Sequence, residues 1–580
     1  MGERGISPKK KKKIFKTLSK RQKIGLGTTS IIAVAAITGG IYFFLELQEE
    51  PEEIFICGLA WSQDSIDPLQ NPGPNYANNW LINQIAEGLF DYDQNKTNTP
   101  IVPNLALGGT WSADHLNFTC TLRRNVTFTD GVPFNATAVK WNFERIYRII
   151  ETMPYDQIWA WEYAYRTSGR EWIINRTEIV NDYTVKFVLN QPYVPIRDLL
   201  AAWPSYILSP TSTPEDDFID IRTGNLVGTG PFIIESRNVN VKGYITTIDL
   251  SANPDYWGGM PSINKVRFLW LADDEERIEK LQSGELSFAE GTHDNETLEI
   301  IENNPRINID KFTSLGFSYL GMNNNKFNLT MRKAISYAFN YSCFLKDFRN
   351  GHSVRAKSPL SREIHISHWG NFRIPYYNIT EARKTLKDAN WPGTINLSVN
   401  DNITAGNEWE MISQSSKPLA VYNFSISYGA WSHYFVGNLL IENLKQIGVK
   451  TNLKELVNVE WFAEMMNSTL DFFFVGYGPG FLDPVEVINP MFSNSTNAVC
   501  NVFNFYDKQV QQWIDAAVIE FDETTRSQLY YYIQERLIEQ LYPIVWLDFP
   551  TIYYMWSADL SGIAKDGAHL KFVLKNICSI

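Results

Sequence analysis

The chain has 580 residues, 44% of them hydrophobic, and this length allows several lobes because a single core rarely grows beyond about 250 to 300 residues. Its net charge of −12 combines +9 in the first 23 residues with −21 over the rest, and such an acidic surface argues against nucleic acid as a partner. Five cysteines are too few for a disulfide scaffold, and an odd number leaves at least one unpaired within the chain.

An uncharged run from Ile24 to Leu45 separates a basic tail from an acidic segment. A helix of this length, at about 1.5 Å per residue, would cross a hydrocarbon layer of about 30 Å, and the basic side is expected to stay in the cytoplasm. The alternative is a cleavable signal peptide, but its apolar core is usually only about 7 to 15 residues and ends in an Ala-x-Ala-like site. We therefore predict a cytoplasmic tail at 1–23, a single-pass cell-membrane anchor at 24–45, an acidic linker at 46–53 and an extracellular remainder.

Glycosylation triplets of the form Asn-x-Ser/Thr support an exterior location, since all of them lie beyond the anchor. Asn117 and Asn135 also begin triplets, but the first lies in a predicted strand and the second where a helix N-cap is needed. The candidate acceptors are Asn95, Asn125, Asn175, Asn295, Asn328, Asn378, Asn402, Asn423, Asn467 and Asn494.

Strands and helices alternate along the chain, which predicts α/β lobes. Predicted strands are Ile54 to Leu59, Phe118 to Leu122, Val126 to Phe128, Tyr183 to Leu189 and Ile245 to Leu250. Predicted helices begin near Asn135 and at Asp274, the second ending at Ser283-Gly284. Cys57 and Cys120 lie in apolar strand-like runs, so we expect buried free thiols there.

The clearest helix–strand unit lies between Val436 and Leu456. Leu440, Leu444 and Ile447 recur at helical spacing, and Gly448 is expected to end the helix in the left-handed conformation. Alternation from Val449 to Leu453 then predicts a strand.

Five blocks of residues, in this order, resemble those of a known family. They are Ile66-Asp67-Pro68-Leu69 with Glu87-Gly88-Leu89-Phe90; Thr121 to Gly131; Gly228-Thr229-Gly230-Pro231-Phe232 with Asn253-Pro254-Asp255-Tyr256-Trp257-Gly258-Gly259; Met331 to Ala338; and Asp483-Pro484. One block alone would be a weak signal, but five in order are specific. On these residues the chain resembles the extracytoplasmic solute-binding proteins, family 5, of oligopeptide and dipeptide ABC importers.

The resemblance implies a two-lobe α/β fold of the periplasmic-binding-protein type (class C, or type II) with an extra subdomain. It assigns residues 54–90, 225–310 and 545–580 to lobe I, residues 91–224 to an inserted subdomain (lobe II) and residues 311–544 to lobe III. It further implies a monomer that captures an oligopeptide-like solute between lobes and delivers it to ABC permease subunits in the membrane. No bond is made or broken, so we expect neither enzymatic activity nor a cofactor.

The same resemblance places several residues in the solute cleft. Aromatic faces and glycine backbones suit this task because they bury a ligand and approach it closely. A core role for Trp461 and Tyr477, and a surface or capping role for His433, remain alternatives. The implied contact residues are Tyr76, Tyr428, Trp431, His433, Trp461, Tyr477, Gly478, Gly480 and Asp483.

One departure from the family concerns the solute's charge. Peptide-binding members usually carry an Asp just before the Asp-Pro pair, where it neutralises the peptide's amino terminus, and this chain has Gly480 there. Asp483, three positions further on, either substitutes for that Asp or caps the following helix. An oligosaccharide or another neutral solute is therefore an alternative to a peptide.

Other chemistry has little support in the sequence. His365 and His368 form a His-x-x-His pair without a third ligand nearby, so we predict no metal site, although nickel and haem carriers occur in the family. No nucleophile elbow, P-loop or dinucleotide fingerprint is present, which leaves a glycan-cleaving enzyme as a remote alternative. The tail before Lys23 is too short for an output domain, and a ligand sensor that recruits a signalling partner is a second alternative.

Overall fold

The computed structural model describes residues 35–37, 40–42, 54–60, 65–70, 76–93, 96, 99–154, 158, 164–167, 171–291, 294–362, 364, 370–400, 407–494, 500–563 and 574–579. Met1–Glu52 and Glu53–Ile580 form separate compact units. In the first unit, β1 (Ala35–Ile37) and β2 (Gly40–Tyr42) pair antiparallel. The predicted transmembrane helix is not shown, since the rest of 24–45 lies outside the described residues. No helix in the described ranges is both long and apolar enough to span a membrane.

The second unit contains alternating strands and helices. Its strands are β3 (Ile54–Leu59), β4 (Phe90–Tyr92), β5 (Ile101–Pro103), β6 (Ala106–Trp111), β7 (Asn117–Leu122), β8 (Ile174–Asn181), β9 (Thr184–Leu189), β10 (Phe232–Val239), β11 (Ile245–Ala252), β12 (Lys265–Trp270), β13 (Phe288–Glu290), β14 (Ile307–Thr313), β15 (Phe317–Met322), β16 (Ser353–Arg355), β17 (Ala420–Ser427), β18 (Val449–Leu456), β19 (Phe472–Tyr477), β20 (Ile544–Ser557), β21 (Leu560–Ser561) and β22 (Cys578–Ser579).

The helices of this unit follow the same alternation. They are α1 (Tyr76–Ile85), α2 (Ala136–Thr152), α3 (Ile196–Ala201), α4 (Asp274–Ser283), α5 (Asn295–Glu302), α6 (Leu329–Ala338), α7 (Tyr341–Cys343), α8 (Ile379–Asp388), α9 (Glu408–Gln414), α10 (Trp431–Lys445), α11 (Asn458–Met466), α12 (Val485–Phe492), α13 (Lys508–Ile519) and α14 (Glu523–Glu535). Short π-helical turns, Phe344–Phe348 and Arg536–Leu541, continue α7 and α14, and 3₁₀ turns occupy Trp203–Ser205 and Leu574–Asn576.

One mixed sheet dominates the described part of the second unit. Its strand order is β10-β11-β12-β3-β13-β20-β15-β19-β17-β18, and β14 and β16 also pair with β20. In lobe I, β3 lies parallel to both β12 and β13. In lobe III, β17 lies parallel to both β18 and β19. Each lobe therefore presents the carboxyl ends of a parallel group, which is where ligands bind in open α/β sheets.

Strand β20 belongs to both lobes. Its first residues pair with β15 and β16, and its later residues pair with β14 and β13. The chain from β14 to β15 also passes from one lobe to the other, antiparallel to β20. Ser314 N donates to Pro550 O at 2.8 Å between these two segments. Two antiparallel segments, 313–317 and 548–551, thus connect the part of the sheet around β14 to the part around β15.

The inserted subdomain is built on an antiparallel sheet of order β6-β7-β9-β8, covered by α2. Asn135 caps α2, because its side-chain oxygen accepts from the N–H groups of Thr137 and Ala138. Phe143 of α2 packs edge-on against Phe187 of β9, with ring centroids 4.9 Å apart. The helix predicted near Asn135 is therefore present.

Most of the elements expected from periodicity are observed, with shifted ends. Residues 245–250 extend to Ala252, and the helix expected near Val436 begins at Trp431. Gly448, at φ +75°, adopts the left-handed conformation that was predicted. The strand predicted over Val126 to Phe128 is wrong: Thr127 makes only an isolated bridge to Pro133, because the chain turns back at Gly131.

Two of the five family-like blocks meet at one buried carboxylate in lobe I. Glu87 accepts hydrogen bonds from Thr229, Tyr256 and Trp257, each at 2.8 Å. Nearby, a Cβ atom on Gly230 would lie 2.6 Å from the backbone carbon of Ile85. These blocks therefore build the lobe itself, and their contacts explain why glycine and hydrogen-bonding side chains occur there.

Candidate functional site

The candidate site lies at the carboxyl edge of the parallel strands of lobe III. Strand β17 lies between β18 and β19. The connection after β17 leads to β18 on one side, and the connection after β18 crosses β17 to reach β19 on the other side. Loops that leave neighbouring strands in opposite directions open a crevice, which makes this edge a topological switch point. The loops in question are 428–430, after β17, and 478–484, after β19.

Three aromatic side chains meet below these loops. The ring centroid of His433 lies 4.9 Å from that of Trp461 and 6.1 Å from that of Phe474. Trp461 is 8% exposed, and its indole N–H donates to Ser425 O at 3.1 Å. The Ser427 N–H donates to His433 Nδ1 at 3.1 Å. This group joins the starts of α10 and α11 to the end of β17, so Trp461 both packs the lobe and lines its edge.

Burial sets the charge state of His433. It lowers the pKa of the imidazole to about 4, so the ring is neutral at pH 7. Because Nδ1 accepts a hydrogen bond, the neutral ring carries its proton on Nε2. His433 can therefore donate one hydrogen bond to a solute without adding charge to the site.

Tyr428 and Trp431 lie apart from this aromatic group. They are 67% and 64% exposed, and the ring of Trp431 stacks on that of Phe348 with centroids 5.3 Å apart. Phe435 packs against the same Phe348 ring at 5.3 Å. The residues predicted from Tyr428 to His433 thus divide between the buried edge and an exposed aromatic surface.

Glu486 of α12 accepts two hydrogen bonds that hold the end of β19 and the loop after it in place. The hydroxyl of Tyr477 donates to Glu486 O at 2.7 Å, and the Gly480 N–H donates to Glu486 Oε1 at 3.2 Å. Gly478 and Gly480 belong to this loop, and Gly480 is buried. A carboxylate therefore lies beside Gly480 although the residue itself has no side chain.

Asp483 ends the same loop. Its carboxylate accepts two hydrogen bonds from the Arg526 guanidinium and one from Val485 N at 2.9 Å. The predicted alternative was that Asp483 caps the following helix, but the N-cap of α12 is Pro484, and Asp483 lies one residue before it while accepting from Val485 N. Since its charge is already paired, Asp483 is poorly placed to neutralise a solute amine as well.

The inserted subdomain contacts this loop directly. The Leu482 N–H donates to the hydroxyl of Tyr92 at 3.2 Å, and that hydroxyl donates to Asp198 Oδ1 at 2.8 Å. Burial, reinforced by the nearby charge of Asp483, raises the pKa of Asp198 to about 7. Val194 N also donates to Val518 O at 3.0 Å. The inserted subdomain and lobe III are therefore in contact in this structure.

The facing edge in lobe I contains a carboxylate that the sequence analysis missed. Glu290 ends β13, and its Oε2 accepts from Ala60 N at 2.9 Å. Burial raises the pKa of Glu290. Glu486 was missed as well, although its place just after Asp483-Pro484 was a usable signal. Tyr76 begins α1, and its side chain lies outside the described residues.

The candidates for other chemistry add little here. His365, His368, Asn95 and Asn402 lie outside the described residues. Within the described ranges no three His, Cys, Asp or Glu side chains are grouped as metal ligands.

All five cysteines are free thiols, and Cys57 and Cys120 are fully buried, as predicted. Of the remaining glycosylation candidates, Asn378 is half-buried, and the exposed ones are Asn125, Asn175, Asn295, Asn328, Asn423, Asn467 and Asn494.

Known proteins resemble this chain over most of its length. Residues 100–498 match the family model of bacterial extracellular solute-binding proteins, family 5 Middle. The sequence is 24% identical over 504 residues, 84% of this chain and 87% of the relative, to the "Probable D,D-dipeptide-binding periplasmic protein DdpA" of Escherichia coli (strain K12). It is 25% identical over 499 residues, 83% and 85% of the two chains, to the glutathione-binding protein GsiB of Shigella flexneri serotype 5b (strain 8401).

A solved structure shows the same fold. The ABC transporter-associated periplasmic binding protein DppA of Helicobacter pylori, in complex with peptide STSA, superposes with a TM-score of 0.72 at 22% identity. The match covers 91% of this chain and 98% of that chain. The predicted two-lobe α/β fold of the periplasmic-binding-protein type is therefore confirmed.

Proposed function

Because the chain belongs to the bacterial extracellular solute-binding proteins, family 5, we propose that it captures a peptide-like solute between its lobes and delivers it to an ABC permease. The observation that carries this proposal is that the His433–Trp461 pair and the 478–484 loop both lie at the carboxyl ends of the neighbouring strands β17 and β19, the switch point of lobe III. The inserted subdomain faces this edge through the contact of Tyr92 with Leu482. These elements would form one wall of the solute cleft, and lobe I would supply the other.

Capture and release require the lobes to move relative to each other. Segments 313–317 and 548–551 connect them, and a small change of backbone angles in two strands is enough for hinge closure. Because Trp461 and Tyr477 are fixed by their own hydrogen bonds, the wall in lobe III is ordered before a solute binds. An ordered wall loses less entropy on binding, which favours affinity.

A peptide is favoured over an oligosaccharide on two grounds. The relatives named above bind a D,D-dipeptide or glutathione by their printed names, and both compounds contain peptide bonds. The loop glycines also allow a solute's backbone to approach the protein backbone, which binds extended chains with little regard to sequence. An oligosaccharide is the second candidate, since Gly480 lacks a carboxylate and the site is rich in aromatic rings. Nickel and haem complexes complete the set to be tested.

A binding screen would test the proposed function. We expect the melting temperature of the full-length chain to rise with one or more di- to pentapeptides and to stay constant with oligosaccharides, a nickel–histidine complex or haem. Trp461→Ala should remove the rise with peptides. Trp391→Ala is the matched control, because Trp391 lies at the opposite edge of the same sheet, where its indole donates to Leu419 O at 3.3 Å. A response to sugars alone would overturn the peptide assignment.

The anchor and the glycans belong to the same proposal. A membrane tether at 24–45 would keep the receptor near its permease and raise their effective concentration for each other. We expect the full-length chain to stay in the membrane fraction at high salt and a chain that begins at residue 53 to be soluble. A mature chain that starts after residue 45 would refute the tether. A loss of mass after glycosidase treatment would demonstrate the glycans.

A further inference from the structure

A cavity lies between the inserted subdomain and lobe III. Its volume is about 410 Å³, within the range of about 300 to 1,000 Å³ typical of small-molecule sites. Its lining comes from the subdomain on one side and from α12 and α13 on the other, and it includes none of the described residues predicted to contact the solute. Val194 N donates to Val518 O at 3.0 Å beside the cavity, which Val518 itself lines. The cavity is therefore separate from the candidate site.

Much of the cavity wall is apolar and buried. Ile173 of the subdomain and Val485, Ile514 and Val518 of lobe III line it, and each is at most 8% exposed. Such a wall favours the apolar part of a ligand, because binding removes apolar surface from water. Specificity then depends on the polar groups that the same wall presents.

The first such polar group is the hydroxyl of Tyr193. Tyr193 is 4% exposed and lines the cavity, and its hydroxyl has no hydrogen-bond partner among the described residues. Burial raises the pKa of Tyr193, so the hydroxyl keeps its proton and can donate it to an acceptor. A ligand that accepts this hydrogen bond removes the cost of leaving a buried donor unpaired.

Asn489 of α12 supplies the complementary group. It lines the same cavity, and its Oδ1 is buried without a hydrogen-bond partner in the described part of the chain. A ligand N–H or O–H group can donate to this oxygen. The subdomain thus presents an unpaired donor at Tyr193 and lobe III an unpaired acceptor at Asn489, and a ligand with one acceptor and one donor would satisfy both.

The charges around the cavity disfavour a charged ligand. Three charged side chains that line it, those of Arg166, Glu486 and Asp515, already interact with other parts of the chain. The fourth, that of Glu171, is exposed to solvent. With one positive and three negative groups, the surroundings repel an anion. A cation would lose its hydration against the apolar wall, where no unpaired carboxylate replaces the water.

We propose that this cavity binds a small neutral amide with an apolar side group. The amide carbonyl accepts from Tyr193, the amide N–H donates to Asn489, and the side group packs against Ile173 and Ile514. An amide combines an acceptor and a donor in one neutral group, whereas a carboxylate only accepts and an ammonium group only donates. The two contacts lie on different parts of the chain, so a bound amide also holds the inserted subdomain against lobe III. The inference goes beyond the proposed function and does not depend on it.

Binding of N-acetyl-L-leucinamide to the full-length chain, measured by calorimetry, would test this site. The probe is neutral and has two amide groups and an aliphatic side group. We expect saturable binding, and N-acetyl-L-leucine, which carries a carboxylate at pH 7, should bind at least about 10-fold more weakly because its charge is buried without a partner. Tyr193→Phe and Asn489→Leu should each weaken binding of the probe by about 5- to 10-fold, since each loses one hydrogen bond.

Tyr165→Phe is the matched control. Tyr165 is also buried in the inserted subdomain, but its hydroxyl is paired with Ser205 Oγ at 2.7 Å. We expect Tyr165→Phe to lower the melting temperature and to bind the probe as the natural chain does. Tyr193→Phe should not lower the melting temperature in the absence of the probe, because the hydroxyl that it removes has no partner. The opposite patterns separate a ligand contact from a structural one.

Three results would overturn the proposal. If the probe does not bind at millimolar concentration, or if N-acetyl-L-leucine binds as tightly, the ligand class is wrong. If Trp461→Ala abolishes binding of the probe and Tyr193→Phe retains it, the probe occupies the candidate solute site. If Tyr193→Phe loses melting temperature as Tyr165→Phe does, the Tyr193 hydroxyl has a partner in the folded chain. The peptide screen is measured separately, so none of these results decides the proposed function.

Discussion

Arg526 donates two hydrogen bonds to the carboxylate of Asp483, at 2.7 and 2.8 Å, and both side chains are almost completely buried. Asp483 ends the loop after β19 and Arg526 lies in α14, so the pair fixes the loop on a helix more than 40 residues further along the chain. A bidentate pair of this geometry also orients what it joins. The loop at the candidate site is therefore held in position before a solute arrives.

Breaking this pair should be costly. Arg526→Leu would leave the Asp483 charge buried without its partner, and we expect a loss of about 3–5 kcal/mol in the free energy of unfolding, measured with urea. Arg536→Leu is the control, because its partner Asp507 is only partly buried and the expected loss is about 1 kcal/mol. Equal losses in the two variants would contradict the structural role given to Asp483.

Structural features with a short-range cause could be predicted from the sequence. Asn135 as a cap and Gly448 in the left-handed conformation follow from neighbouring residues alone, so both were predicted. The contacts of Glu87 with Thr229 and Tyr256 span more than 140 residues, and no spacing within the sequence indicates them. The resemblance identified those blocks, but only the structure shows that they brace lobe I.

The candidate site shows the same limit. Tyr428, Trp431 and His433 are close in sequence, yet the turn into α10 points His433 toward Trp461 and Trp431 toward Phe348. Glu486 was overlooked because the expected carboxylate was sought at residue 480, whereas its side chain returns to Gly480 from the next helix. The position of a residue in the sequence therefore predicted the helix or loop that contains it, but not the direction in which its side chain points.

His433 should make stability depend on pH. In the unfolded chain a histidine titrates near 6.5, whereas burial lowers the pKa of folded His433 to about 4. Its stabilising contribution is therefore complete above about pH 6.5 and is lost as the pH falls toward 4. We expect the melting temperature of His433→Gln to fall less than that of the natural chain between pH 6.5 and 4. Parallel curves over this range would show that His433 is not buried as described.

The titration of Asp198 should have the opposite effect on stability, which it should lower as the pH rises. An aspartate titrates near 3.9 in the unfolded chain, and the pKa of folded Asp198 is raised to about 7 by burial and by the charge of Asp483. The folded state therefore holds the proton, and this contribution is present at pH 4, declines as the pH rises to about 7 and is absent above it.

Asp198→Asn, in which the amide imitates a protonated carboxyl group, tests the direction of this pH dependence of stability. Relative to the natural chain, the variant should gain melting temperature steadily from pH 4 to pH 7 and no further above pH 7. Asp216→Asn is the control, since the Asp216 side chain is 72% exposed and its removal should leave the pH profile unchanged. A constant difference between Asp198→Asn and the natural chain from pH 4 to 8 would be evidence against a protonated Asp198.

Gly230 offers a test of the packing in lobe I. A Cβ there would lie 2.6 to 2.7 Å from backbone atoms of Gln84 and Ile85, and backbone atoms cannot move aside as a side chain can. We expect Gly230→Ala to cost about 1–3 kcal/mol, the usual penalty for overpacking, in urea unfolding. Gly108→Ala is the control, because a Cβ on Gly108 meets no atom within 4 Å. A Gly230→Ala protein as stable as Gly108→Ala would mean that α1 does not approach the 228–232 segment so closely.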